Sequence, residues 1–328
     1  MTDRSSRQRR HVLALGAMLA LAPLAGPALA QSEPIRVLVG FAPGGSVDAL
    51  ARMAADALGQ ATGRPAIVEN RTGAAGRLAL DAVKAAAPDG LTLAVAPQGP
   101  MTLFPYVFKN LRFDPQRDFT PIAITATGDH AITTGPLTGA RNVAEFQAWL
   151  KANPDKASFG SPGAGTLPHF TGLRIGDALG TKMTNVPYRG SALSMTDVAG
   201  GVIAAAVSPV TEALELHKAG RVRILATASA TRTPFVDGVP TLKELGFDVD
   251  VPLWFALYGP AGMPAEMVAR YNRVIAEAFA TPAAKERITA LGLNPPGAVA
   301  PAEIVAMRDR ELAAWGPVVR ASGFTPSD

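Results

Sequence analysis

The sequence predicts an α/β fold of two lobes, each a doubly wound, mostly parallel sheet built from βα units. Three observations carry that prediction. From Pro34 onward, short apolar runs alternate with amphipathic stretches of roughly ten to eighteen residues, the rhythm of a chain that repeatedly crosses over its own sheet. Between them stand turn formers such as Gly63-Arg64-Pro65 and Pro88-Asp89-Gly90. One local plan, an apolar strand entering a glycine-rich loop that opens a helix, occurs at residues 35–48 and again at residues 158–169.

In the first lobe the apolar runs Ile35–Val39, Ala66–Glu69 and Leu91–Val95 are expected as strands, with helices over Val47–Gln60 and Ala74–Ala86. The second lobe is expected to continue through helix Val143–Lys151, strand Ala157–Gly160, helix Leu167–Leu179 and strand Thr184–Pro187. Helix Ala192–Ala199, strand Ile203–Ser208, helix Val210–Ala219 and strand Arg223–Thr227 complete it. Leu253–Tyr258 is apolar enough for a buried strand, and three helices follow at Pro264–Ala280, Pro282–Leu291 and Pro301–Ala321. Each of these three begins on proline, which suits a first helical turn because its missing N–H has no intrahelical partner there.

The first thirty residues stand apart. Arg4, Arg7, Arg9 and Arg10 precede an apolar run from Val12 to Leu24, and Ala28-Leu29-Ala30 precedes Gln31. That order is a charged n-region, an h-region and a small-x-small cleavage site, so residues 1–30 are expected to be a cleavable export signal. The run is broken by Gly16 and Pro23 and is too short for a membrane span. The segment also explains the charge. The whole chain of 328 residues has 31 Lys and Arg against 27 Asp and Glu, a net of +4. Without the four arginines and one aspartate of the segment the remainder is +1. A nearly neutral body gives no electrostatic reason to expect nucleic acid as a partner. With no cysteine, a thiol nucleophile, an iron–sulfur cluster and a Cys-ligated zinc are excluded.

The paired loops are the chemical feature. Glycines at 44, 45, 160, 163 and 165 let a ligand approach the main chain, and a helix N-terminus carries unpaired N–H groups and partial positive charge. Two such loops facing one cleft make an anion clamp; alternatively they are tight βα turns capped by Ser46, Asp48 or Thr166. Enzymatic templates fit poorly. Thr166 follows Gly165 directly, so the lysine of a nucleotide-binding P-loop is missing. Gly160-Ser161-Pro162-Gly163 is not a hydrolase nucleophile elbow. His130, His169 and His217 are too far apart for a local metal motif, and His169, on the helix after the second loop, is either a ligand contact or a structural hydrogen bond within the helix–loop junction.

The motifs, taken in order, resemble the Bug-type periplasmic solute-binding proteins of tripartite tricarboxylate transporters. Ile35-Arg36-Val37-Leu38-Val39 with Pro43-Gly44-Gly45 and Asp48 is similar to that family's opening motif, and Asn70-Arg71-x-Gly73-x-x-Gly76 to its second. Tyr106, Phe108-Lys109-Asn110-Leu111 and Asp118-Phe119-Thr120-Pro121-Ile122 resemble the close of its first lobe. Gly160-Ser161-x-Gly163, His169, Val186-Pro187-Tyr188-Arg189-Gly190, Gly200-Gly201, Trp254 and Pro260-Ala261-Gly262-x-Pro264 follow in the same order and spacing.

The resemblance implies a Venus-flytrap receptor, with residues 31–128 and 254–328 in lobe 1 and residues 129–253 in lobe 2. It implies hinges near Ala126–Ala131 and Val251–Trp254, a small carboxylate as ligand, either a dicarboxylate or an aromatic acid, and membrane permease subunits as partners. No cofactor, no catalysis and a monomer are expected. Carried residue by residue, it implies ligand contacts from Phe41, Ala42, Pro43, Gly44, Gly45 and Asp48 in the first loop, and from Ser161, Gly163, Thr166 and His169 in the second. Gln98, Ser208, Tyr188, Arg189 and Gly190 are further candidates, Arg189 either for a charge-assisted bond to the carboxylate or for anchoring a loop through backbone carbonyls. Arg71 is expected to brace the first lobe. Ala204 and Ser208 are smaller than the residues usual there, and Gly128–Gly135 is more polar, a combination that suits a bulkier acid. The same module serving a signalling receptor, and an enzyme using the same cleft, are the rival readings.

Overall fold

The structure is a computed structural model and describes residues 33–326; the expected export signal lies outside the described residues. The apolar runs of the first lobe form β1 (Ile35–Val39), β2 (Ala66–Asn70) and β3 (Thr92–Pro97), parallel and in the order β2-β1-β3. α1 (Ser46–Thr62) lays Leu50, Ala54 and Leu58 into one core with Val37, Val39 and Leu93. The helix expected over 74–86 divides. A single tight turn at Ala74–Gly76 precedes α2 (Arg77–Lys84), because Ala74 and Ala75 take φ of 49° and 56°. The cause is close approach: a side chain on Gly40 would reach to 2.4 Å from the Gly76 Cα, so the turn sits directly on the end of β1.

After β3 come two one-turn helices, α3 (Gly99–Thr102) and α4 (Phe104–Val107), then the longest strand, β4 (Phe119–Thr134). The second lobe supplies α5 (Val143–Ala152), β5 (Ser158–Ser161), α6 (Leu167–Ala178), β6 (Thr184–Pro187), α7 (Ser191–Ala199), β7 (Ala205–Pro209), α8 (Val210–Lys218) and β8 (Arg223–Thr227). β9 (Pro252–Pro260) returns beside β4, and α9 (Ala265–Ala280), α10 (Pro282–Ala290) and α11 (Pro301–Ala321) close the chain. Pro282 and Pro301 occupy the first helical position as expected, whereas Pro264 stands one place earlier, at the N-cap.

β4 joins what the sequence presents as two separate sheets. From Phe119 to Asp129 it pairs antiparallel with β9, and from His130 to Thr134 with β7 and β8. Among the described residues the result is one nine-stranded sheet, in the order β2-β1-β3-β9-β4-β7-β5-β6, with β8 off that path beside β4. Irregular steps at Pro121/Ala123, Ile124/Ala126 and Ile132/Thr133 interrupt its register, and such steps add local bend and twist. The largest apolar cluster runs across both lobes, holding Phe104 and Phe108 of the first with Leu167 and Phe170 of the second and with Trp315 of α11. Trp254 Nε1 donates to Glu311 at 2.6 Å and ties α11 to β9. Among the described residues no helix is long and apolar enough to cross a membrane.

Candidate functional site

The carboxyl ends of β1, β3, β5, β6 and β7 open on one cavity of about 420 Å³. This is the position at which open α/β sheets bind ligands. Its wall is largely apolar: Phe41, Phe104, Leu167, Leu193, Leu253 and Phe255 all line it.

Ten expected site residues lie on that wall: Phe41, Ala42, Pro43, Gly44, Gly45, Asp48, Gln98, Thr166, Arg189 and Gly190. Within the first loop, Gly44 adopts φ of 90°, which only glycine takes without strain, and its N–H donates to the Asp48 carboxylate at 3.2 Å. Asp48 Oδ1 also accepts from Asn70 Nδ2 at 2.9 Å and Arg52 Nη2 at 3.1 Å, and Oδ2 accepts from Arg52 Nε at 2.9 Å. Burial opposes its ionisation, but the bonds from Arg52, Asn70 and Gly44 outweigh burial and hold the carboxyl below the usual carboxylate range. Asp48 is therefore the buttress of the loop. It does not cap α1 through its own helix position; the N-cap is Gly45, without a side-chain bond. Gln98 is likewise committed, its Nε2 donating to the Pro252 carbonyl at 2.5 Å and its Oε1 accepting from the Trp254 N–H at 3.1 Å. It fastens the end of β3 to β9.

The remaining five expected residues, Ser161, Gly163, His169, Tyr188 and Ser208, do not line the cavity. Each polar side chain among them turns into the framework. Ser161 Oγ and Thr166 Oγ1 both donate to the Gly163 carbonyl, at 3.1 and 2.8 Å. His169 Nδ1 accepts from the Gly165 N–H at 3.0 Å, and its ring stacks on Phe170 and meets the edge of Phe324. Burial pushes this imidazole down to about 4, so it is neutral. Tyr188 Oη donates to Asp197 at 2.6 Å, and Ser208 Oγ donates to the Pro209 carbonyl at 3.1 Å. Arg71 pairs with Glu69 at 3.2 Å in the first lobe, as expected for a brace.

Other residues reach the cavity without having been read as site residues. His130 is buried on β4 where that strand changes partners, with Nδ1 3.4 Å from the Val251 carbonyl. A carbonyl only accepts, so Nδ1 carries the proton. Burial pushes the ring down to about 4, outweighing that bond, and neutral His130 keeps Nε2 as an acceptor. Glu212, in the first turn of α8, meets the N-terminus of α1, with the Ser46 N–H and hydroxyl as its hydrogen-bonding partners. Its Oε1 lies 3.7 Å from where a Gly45 side chain would begin. Burial raises the Glu212 carboxyl, and the Ser46 donors work against that rise. Gly190, Ser191 and Ala192 bring the N-terminus of α7 to the wall beside Arg189, which is exposed and makes no ion pair among the described residues. The N–H groups of Arg189, Gly190 and Ser191 donate to no backbone carbonyl there. The signals were faint: polarity within Gly128–Gly135 for His130, and a first-turn acid after β7 for Glu212.

Known proteins share this architecture. Residues 50–324 match the model of the tripartite tricarboxylate transporter family receptor, TctC. The chain is 30% identical to the protein BugT of Bordetella pertussis over 319 residues, covering 96% of this chain and 98% of that one. It superposes on an R. palustris protein solved with adipate at a TM-score of 0.85, with 26% identity over 90% of this chain and 99% of the other. MatC from Rhodopseudomonas palustris, solved with bound malate, gives a TM-score of 0.82 at 28% identity, over 87% of this chain and 98% of that one. With two lobes around one cleft, and the match running across both, the chain belongs to the receptor family of the tripartite tricarboxylate transporters, a family of periplasmic solute-binding proteins.

Proposed function

We propose that this chain is an exported receptor that captures a small organic carboxylate between its lobes and delivers it to membrane permease subunits. Residues 1–30 serve as the cleavable export signal, the mature protein acts as a monomer, and it performs no catalysis. One observation carries the reading: a largely apolar cavity with an arginine, Arg189, that makes no ion pair among the described residues, and the open N-terminus of α7 on its wall. A guanidinium beside free N–H groups favours a carboxylate, and the apolar wall favours a carbon skeleton over bulk water. Receptors of the same family hold adipate and malate.

Residues 31–128 with 254–328, and residues 129–253, are taken as the two moving lobes. The hinge is placed where β4 leaves β9 for β7, at Asp129 and His130, and in the returning chain at Val251 to Trp254. The test is a thermal-shift panel of organic acids, sugars and amines on the mature protein. An acid at about one hundred times its dissociation constant adds about 2.7 kcal/mol of stability, a visible rise in melting temperature. A panel in which only sugars or amines raise the melting temperature overturns the reading.

A further inference from the structure

A carboxylate receptor whose ligand carries two acid groups needs two free anion-binding positions. Of the helix N-termini on the cavity wall, those of α1, α6 and α7 each follow a glycine-containing loop. They are not equivalent. At α1 the position is taken by the protein itself, since the Glu212 carboxylate faces the Ser46 N–H and hydroxyl, and the Gly44 N–H is committed to Asp48. At α6 the loop hydroxyls both close on the Gly163 carbonyl, the Gly165 N–H closes on His169, and Pro168 in the first turn has no N–H to offer. At α7 the N–H groups of Arg189, Gly190 and Ser191 have no backbone acceptor among the described residues, and the Arg189 guanidinium stands beside them.

We infer that Glu212 is a built-in carboxylate filling the first anion position, so that this cleft selects a monocarboxylate with an apolar body over a dicarboxylate of the same length. The inference rests on the carboxylate-receptor reading and deepens it. The ligand's single carboxylate sits at Arg189 and the start of α7. Its carbon skeleton lies along Phe41, Phe104, Leu193 and Phe255. Its far end meets two acceptors, Glu212 and His130 Nε2, where a second carboxylate would face repulsion and unpaired lone pairs, whereas a hydroxyl or N–H would be satisfied. Shape selects for length, and the acceptors select for the chemistry of the far end.

The experiment compares matched acids, hexanoate with adipate and benzoate with terephthalate, by calorimetric titration of the mature protein and of Glu212→Ser and Glu212→Gln variants. In the wild type the monocarboxylate of at least one pair binds at least tenfold more tightly than its partner. Glu212→Ser, which vacates the position and keeps a hydroxyl, raises the affinity for the dicarboxylate relative to that for its monocarboxylate partner at least tenfold. Glu212→Gln, which removes the charge and keeps the shape, gives an intermediate gain. A wild type that binds the dicarboxylates as well as or better than their partners, or a Glu212→Ser preference unchanged from wild type, overturns the inference and leaves the carboxylate reading standing. Binding of none of the four acids to any of the three proteins, with amines or sugars raising the melting temperature instead, overturns the carboxylate reading and the inference with it.

Discussion

The two glycine-rich loops, residues 41–48 and residues 160–169, follow one plan in sequence and divide the work in the structure. The first faces the cavity along its length, from Phe41 through Asp48, and its donors meet carboxylates that the protein supplies, Asp48 and Glu212. The second turns its polar side chains inward: Ser161, Thr166 and His169 satisfy the loop's own backbone, and only Pro162 and Thr166 to Pro168 reach the cavity. A glycine-rich strand–helix turn is thus a backbone shape that permits anion binding without dictating it. What fills the donors decides, and the filler comes from elsewhere in the chain.

If the second loop is framework, its side chains should govern stability more than ligand choice. His169→Ala removes the acceptor of the Gly165 N–H and opens space beside Phe159, Phe170 and Phe324. A loss of about 2–4 kcal/mol is expected in denaturant unfolding, from the cavity and the orphaned donor together, with the ranking of bound acids unchanged. A changed ranking with little loss of stability would make His169 a ligand contact. Arg189→Gln is expected to do the reverse. Affinity for the bound acid falls by about one to two orders of magnitude in titration, as for loss of a charge-assisted bond, while the unfolding midpoint stays in place because the guanidinium is exposed and makes no ion pair among the described residues. Undiminished affinity would move the carboxylate away from α7.

How much of this was legible in the sequence depends on where each signal lies. β1, β8 and α11 fall where their apolar runs, Gly and Pro boundaries place them, because local composition and tertiary burial agree there. β4 was hidden by Pro121, Gly128, Asp129 and His130, which break the apolar pattern of a buried strand. The strand persists because its partners change at Asp129 and His130, so those residues stand at a junction between ladders and not within one. The loops were readable as loops. Their hydrogen bonds were not, since the Asp48 buttress draws on Asn70, 22 positions away, and the acceptor facing Ser46 comes from α8. Sequence gives the positions of donors along the chain; which acceptor reaches them is settled by how strands order in the sheet.

The same comparison can be sharpened by pH. His169 is neutral when folded, its imidazole lowered to about 4 by burial, against the ordinary histidine value near 6.5 in the unfolded chain. Between those values the unfolded state binds more protons, so stability contributed by neutral His169 is present above pH 6.5 and declines as pH falls towards 4. His130 acts in the same direction, whereas the raised carboxyls of Glu311, Glu212 and Asp129 act in the opposite one, taking up protons in the folded state first. The wild-type profile alone therefore mixes opposing slopes, and a difference between two proteins is the informative quantity. His169→Gln keeps an acceptor for the Gly165 N–H and cannot titrate. Its stability deficit relative to wild type, measured by urea unfolding, is expected to shrink by on the order of 1–2 kcal/mol between pH 7 and pH 5. Parallel profiles would mean that solvent reaches the ring and that the second loop is open to the cavity, erasing the distinction between the two loops.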